Sequence, residues 1–191
     1  MPDPETAAQA LLREFEARFS LDGVPPSPVE RIATSLLDLL IDEHDDLREL
    51  PGAPTDQGRL SGMIDPPNMT IWLDRREARG NPRRRRFTIS HEIGHWQLHV
   101  ASTGEVMADG PATLVEHEDE GVASSTIPDL RRREKEANSF ARELLMPELL
   151  VQQQARATGC NLPLLAERFE VSVPAIRLRL RLLGLLPVGM G

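Results

Sequence analysis

The stretch Phe87-Thr88-Ile89-Ser90-His91-Glu92-Ile93-Gly94-His95-Trp96-Gln97-Leu98-His99 decides how this chain is read. Two of its histidines lie four residues apart, and a glutamate follows the first. On a helix, positions i and i+4 share a face, so His91 and His95 can converge on one metal ion. Neutral imidazole suits Zn²⁺, and Glu92 is placed to act as general base on a water at that metal. Asn81 and Pro82 supply the N-cap and first position that such a helix needs. His99 lies about 12 Å along the axis from His91. Zn–N bonds are only about 2 Å long. His99 is therefore expected to be structural or to support a ligand, and the third ligand must come from another element.

The strongest helical pattern elsewhere covers residues 129–146. Its apolar stripe is Leu130, Ala137, Phe140, Ala141, Leu144 and Leu145. Stepping 100° per residue puts Glu134 roughly 50° from the centre of that stripe and Glu136 roughly 110° away. Glu134 is thus expected on the core side and Glu136 toward solvent. A carboxylate at the edge of an apolar face is costly unless it is paired or bound to metal. Asn138, four residues on, can hydrogen-bond a ligand histidine from behind. His91, His95 and Glu134 with one open position would be a catalytic zinc set. Pairing of Glu134 with an arginine is the alternative, and His117 with its acidic neighbours is a weaker source of ligands.

Composition narrows the classes. The chain has 191 residues, 40% of them hydrophobic, which suffices for one sizeable core. A net charge of −8 argues against direct nucleic-acid binding or an anionic membrane as partner. The basic run Arg83 to Arg86 reads as the solvated first turn of its helix. Cys160 is the single cysteine, so neither a disulfide framework nor a cysteine metal cluster is available. The acidic N-terminus and the lack of a long apolar run predict a cytoplasmic protein without a membrane span.

The remaining elements follow in order. Residues 4–19 and 29–40 carry apolar residues at helical spacing, the second opened by Ser27 and Pro28, and a short strand is expected near 40–47. The runs 59–64 and 68–73, separated by Asp65-Pro66-Pro67, read as a hairpin. Residues 101–127 lack periodicity and are expected to be a long loop. Further helices fit 148–157, 162–169 and 174–183.

Two segments carry a resemblance to a known family. Arg86 to His99 is similar to the R-F-T-x-x-H-E-x-G-H-x-x-x-H segment of the ImmA/IrrE metallopeptidases. Glu134 to Pro147 is similar to that family's E-x-E-A-N-x-F-A-x-x-L-L-M-P segment, and the region around Leu60–Ile64 also resembles it. The resemblance implies Zn²⁺ ligands at His91, His95 and Glu134 and a catalytic base at Glu92. It implies an α+β fold, a mainly helical zincin-like domain with a small sheet of about three strands. Residues 1–25 would be a helical extension, 26–158 the metallopeptidase domain and 159–191 a helical appendage. In that appendage, Leu165 to Gly184 resembles a helix-turn-helix, although Glu170 stands where the turn favours glycine.

The function implied is that of an endopeptidase cutting a cytoplasmic regulatory protein, such as a helix-turn-helix repressor of a mobile element or a stress response. The alternative is a regulator that binds DNA or a repressor and keeps the zinc fold as a sensor. Glu92 separates the two, because a binding module needs no base beside the metal. The substrate peptide is expected to pair beside the strand at 68–73. With no tyrosine in the chain, His99, His117, an arginine or a backbone N–H would steady the oxyanion.

Overall fold

Residues 3–19, 23–53, 58–100, 107–109 and 128–186 are described by a computed structural model. Helix α1 (Pro4–Phe19) is followed by a short helical turn α2 (Val29–Arg31) that widens into a π-helical turn, Ile32–Leu36. Ser27 is not the cap expected of it. Ser27 is buried, and its carbonyl accepts from Arg86 Nη2 at 2.8 Å.

Strands β1 (Leu40–His44), β2 (Gly62–Asp65), β3 (Thr70–Asp74) and β4 (Met107–Asp109) form one sheet in the order β1-β3-β2-β4. The hairpin β2–β3 is antiparallel, with Gly62 opposite Leu73. Its turn closes through Met69 N–H to the Pro66 carbonyl at 3.1 Å. β1 lies parallel to β3 on the other side, with Leu40 opposite Thr70. β3 therefore has a neighbour on each edge, and a peptide cannot pair beside residues 68–73 as expected. Periodicity identifies a strand but not its partners, and the parallel pairing with β1 joins segments some 30 residues apart. β4 adds a fourth strand within the stretch expected to be loop. The rest of 101–127, His117 included, lies outside the described residues.

Helix α3 (Arg75–Gly80) follows β3 directly and leads into α4 (Pro82–His95), which continues as a π-helical turn, Trp96–Val100. Asp74 caps α3 by accepting from Glu77 N–H, and Asn81 caps α4 by accepting from Arg84 N–H. Helices α5 (Pro128–Leu145), α6 (Glu148–Thr158), α7 (Leu162–Arg168) and α8 (Val173–Leu182) complete the fold, a mainly helical α+β architecture.

One core runs through the helices. Ala8, Leu11 and Phe15 of α1 join Phe140, Ala141 and Leu144 of α5, Ile89 and Ile93 of α4, and Ala175, Ile176 and Leu180 of α8. Each buried leucine, isoleucine or phenylalanine among them contributes roughly 1.5–3 kcal/mol by leaving water. Leu47, Leu60 and Met63 form a smaller cluster, with Trp72 packed against it. The arginines of α8 do not simply spread around its surface. Arg179 lies in the core, ion-paired with buried Glu143 and donating from Nε to the Met146 carbonyl at 3.0 Å. At the α7–α8 turn, Glu170 takes a left-handed φ of 52°, a conformation that costs a residue other than glycine on the order of 1 kcal/mol. Its carboxylate lies 3.3 Å from Arg86 Nε.

Candidate metal centre

Helix α4 is buried on every side from Arg86 to His95. Its polar side chains therefore need partners inside the protein. Ser90 finds one locally, donating from Oγ to the Arg86 carbonyl at 2.8 Å. Of the basic first turn, Arg83 is exposed as expected, whereas the other three arginines are tied to acids. Arg84 Nε lies 3.2 Å from Glu77 and Arg85 Nη1 lies 2.8 Å from Glu43, while Arg86 reaches Glu170.

His91 and His95 turn their Nε2 atoms toward each other at 3.1 Å. Glu134 of α5 completes the cluster. Its Oε2 is 3.5 Å from His91 Nε2 and its Oε1 is 3.4 Å from His95 Nε2. An ion bonded tetrahedrally at 2.0–2.1 Å has ligand atoms roughly 3.3 Å apart. The triangle of 3.1, 3.4 and 3.5 Å fits such an ion, so this His-His-Glu cluster could hold a metal.

Two glycines allow the approach. A Cβ on Gly94 would lie 3.2 Å from the Cα and carbonyl oxygen of Ala137, so α4 and α5 cross here with almost no side chain between them. Glu134 stands three residues before that crossing, which brings its carboxylate to the histidines. A Cβ on Gly62 would come within 2.3 Å of Glu92 Oε1. The β2 backbone therefore rests directly on the carboxylate of Glu92, which is fully buried. Sequence reading passed over Gly62, although an isolated glycine inside a strand pattern signals close backbone approach. Ser61, the residue before it, is anchored too, since its Oγ donates to Glu77 Oε2 at 2.8 Å and accepts from Arg84 Nη2 at 3.1 Å.

The other two candidate residues stand apart from the triangle. His99 is buried, with Nε2 3.3 Å from the Arg133 carbonyl and 3.6 Å from Glu136 Oε2. Burial, aided by the nearby His95, holds its imidazole below the ordinary histidine range. Asn138 is half-buried, and its Oδ1 has no hydrogen-bond partner among the described residues. Glu136 is not turned out to solvent as its helical phase suggested. Its side chain is 26% exposed against 22% for Glu134. Arg132 Nη1 holds it at 2.8 Å, and the length of the side chain lets it reach back to His99. Removing the charge of Glu134 should therefore weaken metal binding, whereas Glu136→Gln should leave it near wild type. Competition with a chelating dye measures both, and metal loss in Glu136→Gln alone would reverse the assignment.

The order of these parts, with a His-Glu-x-x-His helix followed by a glutamate helix that crosses it at a glycine, extends across most of the chain. Residues 46–181 match the IrrE N-terminal-like domain of peptidase family M78. The chain belongs to this family. The family match takes in the sheet beyond β1, the helix α4 with both histidines, and α5 with Glu134, and reaches almost to the end of α8. Among curated proteins, none matches the chain. No helix among the described residues is long and apolar enough to cross a membrane. This M78 chain is thus a metallopeptidase-like protein with a buried carboxylate beside a cluster able to hold a metal.

Proposed function

We propose that the chain is a zinc-dependent endopeptidase whose substrate is a cytoplasmic regulatory protein, a helix-turn-helix repressor, and that cutting it relieves repression. The observation that carries this reading is the placement of Glu92. It follows the first histidine of the cluster, lies outside the His-His-Glu triangle, and is buried under the β2 backbone. A sensor or docking module has no use for a buried carboxylate there, whereas hydrolysis needs a base held in a dry site.

His91, His95 and Glu134 would hold the ion, and two neutral imidazoles with one carboxylate match the donor set of catalytic zinc. When bound, Zn²⁺ would supply Lewis-acid polarisation of the scissile carbonyl and a lowered pKa for water. Glu92 would accept the proton of the attacking water at a carboxylate oxygen and return it to the departing amine. Gly62 keeps Glu92 in place from above. His99 and Asn138 are proposed to steady the ligands from behind, His99 through its contact with the Arg133 carbonyl next to Glu134.

Incubating the zinc-loaded chain with a purified helix-turn-helix repressor tests the reading, with fragments identified by mass spectrometry. Discrete fragments that disappear on chelation are the expected result. An intact repressor that nevertheless leaves its operator in the presence of the chain would support the non-proteolytic regulator instead.

A further inference from the structure

The strand that rests on Glu92 already has a partner on its outer side. β2 is flanked by β3 on one edge and by β4 on the other, with Gly62 opposite Asp109, Met63 opposite Ala108 and Ile64 opposite Met107. Neighbouring strands lie about 4.8 Å apart. β4 therefore runs in the slot next to the residue that covers the base. Extended peptides bind a sheet edge through main-chain hydrogen bonds, and their alternate side chains set selectivity. β2 is the strand whose face lies on the base, and its outer edge is taken.

A second observation points the same way. Glu92 is fully buried, whereas Glu134 of the adjoining cluster is 22% exposed. The cluster is open on the Glu134 side, and a peptide bond reaches the base only once the structure over Glu92 yields.

We propose that Met107–Asp109 is an internal stand-in for the substrate strand. It occupies the edge of β2 that an extended, unfolded segment of a protein substrate pairs with, and cleavage requires its displacement. The inference rests on the peptidase reading for the identity of what replaces it. It differs from an ordinary structural strand in cost. β4 is three residues long, so an incoming peptide that forms the same ladder recovers most of what its departure loses. Its place in the chain also fits. It lies between His95 and Glu134 in sequence, within residues 101–127, which carry Glu105, Asp109, Glu116, Glu118, Asp119 and Glu120 and no lysine or arginine.

The test locks the strand. Met63 and Ala108 are register partners in the antiparallel pair, and paired residues have Cα atoms about 4.5–5.5 Å apart, within the span of a disulfide. The full-length chain would carry Met63→Cys and Ala108→Cys with Cys160→Ser. Two rates are compared in the oxidised and reduced protein. One is cleavage of an unfolded labelled protein, casein, by the zinc-loaded chain. The other is transfer of zinc to a chelator, which needs access to the site but no turnover. Ala108→Pro, which cannot donate to the ladder, serves as the opposite perturbation.

The expected result is at least tenfold slower cleavage and slower zinc transfer in the locked form, restored by reductant, and faster values for both in Ala108→Pro than in wild type. Where cleavage is seen, cleavage decides. Equal cleavage in the locked and reduced forms overturns the internal strand and leaves the peptidase reading intact. Where neither form cleaves, zinc transfer decides. A difference there keeps the internal strand, with the peptidase reading left to the repressor assay, and no difference removes the internal strand.

Discussion

Zinc-loaded Glu92→Gln should fold and hold metal as wild type does, yet cleave about 10²–10⁴ times more slowly, the usual share of general acid–base catalysis. That loss corresponds to roughly 3–5 kcal/mol of transition-state stabilisation. The amide has the shape of the carboxylate, so the fit beneath Gly62, where even a Cβ would come within 2.3 Å of Glu92 Oε1, is preserved. Metal should be preserved as well, since the ligand cluster consists of His91, His95 and Glu134. Binding and chemistry therefore separate in this one variant. Zinc content, thermal melting and single-turnover cleavage are the three readouts. A variant that cleaves at the wild-type rate removes Glu92 from the reaction, and one that loses zinc makes it a ligand.

The second large effect concerns stability and lies far from the metal. Arg179→Met should cost about 3–5 kcal/mol, because a buried carboxylate is left without its cation. Glu143 and Arg179 are each almost wholly buried, and Arg179 also holds the Met146 carbonyl at the end of α5. Gln9 Nε2 at 2.9 Å and the Glu148 N–H at 3.1 Å still reach Glu143, but neither carries charge. Urea denaturation should show the midpoint falling with an unchanged slope. Arg181→Met, on the same helix but only half-buried, should change stability by less than about 0.5 kcal/mol. Adding Glu143→Leu to Arg179→Met should recover much of the loss, because replacing both members of a buried pair by apolar groups is often neutral. An Arg179→Met chain as stable as wild type would mean that the pair is not closed in solution.

These two sites differ in how far the sequence disclosed them. The helix phase that set Glu134 nearer the apolar stripe than Glu136 agrees with the carboxylate that clusters with the histidines, because α5 is a regular helix through both residues, although the same phase did not turn Glu136 out to solvent. Asn81 and Pro82 marked the start of α4. What stayed hidden depends on pairing between distant segments. Nothing local in Thr70–Asp74 announces that β1 will take its second edge. α3 has a single buried residue, Ala78, so apolar periodicity could not reveal it, and its signal was the capping aspartate. Arg179 was one arginine in an alternating run, and only the position of Glu143 on another helix turns it inward. Gly62 was the missed residue with a readable signal.

The crossing of Gly94 over Ala137 also bears on how long the folded chain lasts. His95 and Glu134 meet there from opposite ends of a loop of about 40 residues, and a covalent bridge of that span would contribute roughly 4 kcal/mol by chain-entropy arguments. An ion shared by the two helices acts as such a bridge, except that it can leave. Its affinity and the folding free energy are then linked, so that any strain opening the crossing raises both the escape of the ion and the unfolding of the chain. Loss of the ion would then shorten the lifetime of the folded chain as well as empty the cluster.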